Sequence, residues 1–173
     1  MQPHQFEAEL SRIHAQSFAW AVRCCRGDRT EAEDVLHLTY AKVLDGRARF
    51  EERSSFKTWL FGVIRRTAFE EIRRGMMHRL WMGKWWQERE DVHQGTADQA
   101  TLVVEGERRD QLRQALGQLS PRQQQVLHLV FYQDMTIQEA ATVLKMQIGT
   151  ARTHYERGKA RLRQLLDREG DQA

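Results

Sequence analysis

Ser120-Pro121-Arg122-Gln123-Gln124-Gln125-Val126-Leu127 is followed by Thr136-Ile137-Gln138-Glu139-Ala140-Ala141 and then by Ile148-Gly149-Thr150-Ala151-Arg152. The first segment starts a helix: a hydroxyl caps the end, Pro121 takes the first helical position and Gln123 closes a capping box. Val126, Leu127, Val130 and Phe131 then recur at helical spacing. The pattern stops at Gln133-Asp134-Met135, and Thr136 with Glu139 forms a second capping box. A short helix follows, with Ala140, Ala141, Val143 and Leu144 on its inner face. Lys145 to Gly149 makes the turn, and a third helix is predicted from Thr150 to Leu166. Its outer positions are Arg152, Thr153, His154, Arg157, Lys159, Arg161 and Arg163, with Glu156 the one acid before Asp167. A short helix, a tight turn and a basic helix describe a helix-turn-helix reader of duplex DNA.

Working outward, the chain has 173 residues, enough for one ordinary domain or two small ones. Its formal net charge is +3 and its pI about 9.1, a modest excess that matters where it is concentrated. Residues 53–74 carry Arg53, Lys57, Arg65, Arg66, Arg73 and Arg74 against Glu70 and Glu71. Residues 28–34 instead carry Asp28, Glu31, Glu33 and Asp34. Two basic faces and one acidic face point to nucleic acid plus a separate partner.

No apolar run approaches the roughly 20 residues a membrane helix needs, and the N-terminus lacks the pattern of a signal peptide, so no membrane insertion is expected and a cytoplasmic location is. Cys24 and Cys25 are adjacent, a poor geometry for bridging to each other, and are expected as reduced thiols. No two-plus-two ligand spacing, glycine-rich phosphate loop or nucleophile–base pair is present, so no catalytic residue, metal or cofactor is expected. A metal enzyme built on His14, Cys24, Cys25 and His37 is the rival of another class.

The periodicity predicts helices over Phe6–Arg26, Glu31–Leu44 and Phe56–Arg74. The first has Phe6, Leu10, Ile13, Ser17, Trp20 and Cys24 on one face and ends at Gly27-Asp28, and Thr30 can cap the second. The second should bury Val35, Leu36, Tyr40, Val43 and Leu44. Ser54 or Ser55 can cap the third, which turns Trp59, Leu60, Val63, Ile64, Ala68 and Ile72 inward. With no strand-like alternation and two prolines, the fold class is all-α, with two small helical domains at residues 1–75 and 107–173. Between them, residues 76–106 form a linker that is first rich in Trp and Met and then polar. Its first third, Met76 to Trp86, either continues the third helix and packs or offers a patch to a partner.

Two stretches carry a family spelling. Leu119-Ser120-Pro121-Arg122-Gln123 through Ile148-Gly149-Thr150-Ala151-Arg152 resembles region 4 of extracytoplasmic-function (ECF) bacterial sigma factors. Ala32-Glu33-Asp34-Val35-Leu36 and Phe50-Glu51-Glu52-Arg53-Ser54-Ser55-Phe56-Lys57-Thr58-Trp59-Leu60 with Arg73-Arg74 resembles their region 2. The resemblance implies a promoter-recognition subunit of RNA polymerase without catalytic chemistry. Core polymerase (the β′ clamp and β flap) and promoter DNA are the implied partners, and an anti-sigma protein or a regulatory kinase is a candidate regulator.

It further implies −35 contacts from Gly149, Thr150, Arg152, Thr153 and Arg157. Contacts to the −10 element fall on Phe50, Arg53, Ser54, Ser55, Phe56, Lys57, Arg65 and Arg66. Opening a promoter requires capture of an unpaired base by stacking and edge hydrogen bonds, and this loop supplies rings and hydroxyls beside cations. Trp59 reads as core, Phe50 and Ser54 as functional. Polymerase binding falls on Glu33, Asp34, His37 and Leu38, where the last two depart from the family's Gln and acid. A phosphate on Thr39, or on nearby Thr30, would restore that charge. Arg66 stands where the family has Asn, so the −10 preference should differ. Without polymerase binding, the same motif would make a plain helix-turn-helix regulator; a protein that merely sequesters polymerase is the third rival.

Overall fold

The computed structural model describes residues 3–82 and 111–170, with side chains over 5–76 and 111–167. They fall into two compact units, one holding 3–82 and the other 111–170. Among the described residues all regular structure is helical.

In the N-terminal unit α1 spans Pro3–Arg12 and α2 spans His14–Cys24, α3 spans Arg29–Leu44 and α4 spans Phe56–Met82. The single helix expected over Phe6–Arg26 is therefore two. Ile13 leaves helical geometry (φ −109°, ψ 14°) while its side chain is buried, so the apolar face continues through a break that periodicity does not register. Asp28, not Thr30, caps α3: its Oδ1 accepts from the Glu31 amide at 2.9 Å, and the helix starts two residues earlier than expected.

Along α3 the buried stripe is Ala32, Val35, Leu36, Thr39 and Val43. Leu44, expected inside, is half exposed at the helix end, and Tyr40 is half-buried. Ser55 caps α4, accepting from the Thr58 amide at 3.2 Å. Leu60, Phe61, Ile64, Thr67 and Ala68 are buried, whereas Trp59, Val63 and Ile72 are half-buried. Trp20 of α2 locks this helix. Its indole N–H donates to the Phe61 carbonyl at 3.0 Å, and its ring stacks on Phe61 at 6.0 Å and 7°. The helix passes the boundary expected at residue 75 and continues to Met82. The expectation that Trp81, Trp85 and Trp86 pack or present a patch falls on side chains outside the described residues.

The C-terminal unit is α5 (described from residue 111 to 117), α6 (Pro121–Leu127), α7 (Ile137–Leu144) and α8 (Ile148–Gly170). Both capping boxes form: the Gln123 amide donates to Ser120 Oγ at 3.4 Å, and the Glu139 amide to Thr136 Oγ1 at 3.2 Å. After α6 comes a π-turn, His128–Tyr132. Its wider i→i+5 register rotates the next side chains about the helix axis. Phe131, expected on the buried face, is thereby exposed, and Leu129 and Gln133 are buried instead. Lys145 closes α7 in the left-handed region (φ 51°), and α8 begins at Ile148, two residues before the expected start.

α8 crosses α6 at Gly158. A Cβ there would lie 3.1 Å from both Gln123 Cβ and Leu127 Cδ1. Gly158→Val should destabilise the C-terminal unit by about 2 kcal/mol through overpacking, measured as a lowered midpoint in thermal unfolding.

Candidate nucleic-acid interface

The loop from Arg47 to Ser55 joins α3 to α4 and carries Phe50 into a cluster of rings. Phe50 meets Phe56 edge-on at 5.5 Å and Trp59 at 5.2 Å, and Phe56 lies 5.4 Å from Trp59. Phe6 of α1 closes the cluster against Phe56 at 5.9 Å, a member that sequence reasoning missed because it is distant along the chain. All four rings are half-buried. Trp59, expected as core, is thus half-buried, as Phe50 is.

The polar members divide. Ser55 Oγ is committed to the helix cap and to Thr58 Oγ1 at 2.8 Å, while Ser54 Oγ donates only to the neighbouring Ser55 carbonyl at 3.3 Å. Arg53 is exposed and pairs with Glu51 at 2.8 Å. Lys57 sits over the Phe61 ring, 5.7 Å from its centroid, and is half-buried, as is Arg65. Arg66 is exposed, and its Nε donates to Glu70 Oε1 at 2.8 Å. Glu70 Oε2 accepts from Lys42 Nζ of α3 at 2.9 Å, and the same Nζ donates to Thr67 Oγ1 at 3.1 Å. The hydrogen bond from Arg66, then that from Lys42, hold the Glu70 carboxyl below the ordinary glutamate range. Glu70 was readable only as an acid among arginines, although its i,i+4 spacing from Arg66 was a signal.

On α3, Glu33, Asp34, His37 and Leu38 all face outward, so the residues expected at polymerase share one exposed face. Thr39 does not join them. It is fully buried and its Oγ1 has no hydrogen-bond partner among the described residues, which removes it as a phosphorylation site in the folded protein. Thr30, in the first turn of α3, is exposed. Thr39→Glu should unfold the N-terminal unit, since a carboxylate buried without a partner costs several kcal/mol, whereas Thr30→Glu should leave its melting curve intact. Circular dichroism melts of the two variants decide between these outcomes.

Among the described residues no three His, Cys, Asp or Glu side chains gather where a metal could sit, so His14, Cys24, Cys25 and His37 form no such group. His14 Nδ1 lies 3.2 Å from the Tyr40 hydroxyl. Burial is the first cause raising both thiols; Cys25 is pushed up to about 12, which keeps it protonated at neutral pH.

In the other unit, Gly149, Thr150, Arg152, Thr153 and Arg157 are all exposed along the start of α8. The first amides of a helix have no partner within it and favour anions such as phosphate. Thr153 Oγ1 donates back to the Gly149 carbonyl at 2.9 Å. A Cβ on Gly149 would meet nothing within 4 Å, unlike one on Gly158. Packing therefore does not require glycine at 149.

A model of sigma-70 region 2 matches residues 10–76, and one of sigma-70 region 4 matches residues 109–162. The ECF RNA polymerase sigma factor SigX of Bacillus subtilis (strain 168) is 30% identical over 141 residues, covering 81% of this chain and 73% of that protein. The chain belongs to the ECF branch of the sigma-70 family. As such it is a sigma factor, a subunit that directs promoter-specific transcription by RNA polymerase. The RNA polymerase sigma factor YlaC of the same organism is 27% identical over 136 residues, covering 78% of this chain and 77% of that one. The fold of this sigma factor is similar to that of RpoE in its complex with the anti-sigma factor NepR from Bartonella quintana. The TM-score is 0.70 at 24% identity, over 94% of this chain and 97% of the other. CnrH, solved with the cytosolic domain of CnrY, gives 0.62 at 19%, over 96% and 90%.

Gly149→Ala should stabilise α8 by about 0.5 kcal/mol, and weakened binding to a −35 duplex is the result expected of a phosphate held against this backbone. Thermal unfolding and fluorescence anisotropy on one preparation test both halves of that expectation.

Proposed function

We propose a division of labour between the units. Residues 1–75, with the continuation of α4 to Met82, bind core polymerase and open the −10 element, while residues 107–173 read the −35 duplex. The observation that carries this reading is the contrast between the two exposed surfaces. The N-terminal one offers half-buried rings beside cations, the combination that stacks unpaired bases and tracks a single-strand backbone. The C-terminal one offers a helix start with room for a phosphate, followed by Arg152 and Arg157, whose forks suit guanine edges in the major groove.

In the N-terminal unit, Phe50 and Trp59 stack a flipped base, Ser54 and Arg53 meet its edge or its phosphate, and Lys57 and Arg65 track the strand. Ser55 and Phe56 shape the loop that presents them. Glu33 and Asp34, with His37 and Leu38 beside them, dock on the polymerase clamp, and the C-terminal unit engages the flap. The protein supplies recognition and leaves the chemistry to polymerase. It does this work in the cytoplasm; no described helix is long and apolar enough to cross a membrane. A protein partner of the kind bound to RpoE is the natural regulator, and of the two threonines considered for a kinase only Thr30 is accessible.

The test is run-off transcription with purified core RNA polymerase on the DNA upstream of its own reading frame. Specific initiation that disappears with Glu33→Lys/Asp34→Lys is the expected result. Tight duplex binding with no initiation would overturn the reading in favour of a regulator acting without polymerase.

A further inference from the structure

Arg66 is held through its Nε. Glu70 takes its Nε, and Lys42 reaches across from α3 to fix the other oxygen of Glu70. No described hydrogen bond involves the terminal nitrogens Nη1 and Nη2, and the side chain is 71% exposed. A free arginine on a surface samples many rotamers and meets phosphates as a charge on a tether. An arginine pinned through Nε presents its terminal fork at a set angle, ready for two parallel hydrogen bonds. Trp59, Val63 and Arg66 succeed one another at four and three residues, so they line one side of α4. The fork therefore stands about 10 Å along the helix from the ring cluster, at the rise of an α-helix.

We propose that Arg66, positioned by Glu70 and Lys42, reads one unpaired base of the −10 element that offers two adjacent acceptors. Guanine offers O6 with N7, and a flipped cytosine offers O2 with N3. Neither adenine nor thymine sets two acceptors side by side, so neither satisfies a fork that only donates. Arg66 is then a binding residue with base specificity, while Glu70 and Lys42 are positioning residues acting through it. The inference rests on the N-terminal unit being the −10 reader, and it assigns one of that unit's cations a base in place of a phosphate.

The test uses full-length protein, core polymerase and a template library randomised through the −10 element, with transcripts counted for wild type, Arg66→Lys and Glu70→Ala. Arg66→Lys keeps the charge, loses the fork and lies on the surface, so folding is not at risk. It should reduce the preference for G or C at one position about tenfold, a good bidentate contact being worth that much. Glu70→Ala should erode the same preference at the same position; a merely structural loss would lower output on every template alike. Replacing a preferred guanine with 7-deazaguanine separates N7 reading from cytosine reading. Unchanged preferences in Arg66→Lys, or a flattened position at which wild type favours A or T, would overturn the inference and leave the −10 reading standing. No initiation by wild type on any template would overturn both.

Discussion

The N-terminal unit depends on one buried contact, the indole of Trp20 against Phe61. Burying a tryptophan N–H without an acceptor is costly, and the acceptor here is the Phe61 carbonyl in the second turn of α4. That hydrogen bond, with the parallel rings beside it, fixes the rotation of α4 about its axis. Once Phe61, Ile64 and Ala68 are inside, Arg66 is turned outward, Trp59 is left at the edge, and Lys57, one turn before Phe61, lies half-buried over its ring. The arrangement of rings and cations is thus a consequence of core packing, and α3, buried along Ala32, Val35, Leu36, Thr39 and Val43, is driven by the same logic to present its acids.

The C-terminal unit states the same rule through two glycines on one helix. At Gly158 α6 passes so close that a side chain would have to push Gln123 and Leu127 aside, and Gly149 is glycine with open space around it. One serves the fold and the other is free to serve a ligand. Lys145 makes a related point: a left-handed residue with a side chain costs about 1–2 kcal/mol relative to glycine, and it stands in the turn between the paired helices.

What could be read from the sequence was what is encoded within a few residues. Both capping boxes were legible because their partners lie three apart, as were the helical class and the basic character of α8. What could not be read was either a local change of register or a contact with a distant partner. Ile13 breaks a helix without breaking its apolar face, so the amphipathic pattern runs on through it. The π-turn at His128–Tyr132 shifts Phe131 outward by a change of register that no composition signal announces. Thr39 was considered because it follows His37 and Leu38, where a charge is missing, whereas its position in the Val35–Val43 stripe puts it in the core. Within the site, the residue types of the −10 surface were legible, but not the Lys42–Glu70 bridge that fixes Arg66, since its ends lie on different helices.

The central claim is that one unit opens DNA and the other reads closed duplex, and a template with a pre-melted −10 bubble tests it most directly. Transcription by Phe50→Ala and Arg152→Ala variants would be compared on fully paired and bubble templates of the same sequence. The account predicts that the bubble restores the Phe50→Ala variant and leaves the Arg152→Ala variant defective. Equal rescue of both, or rescue of Arg152→Ala alone, would contradict it.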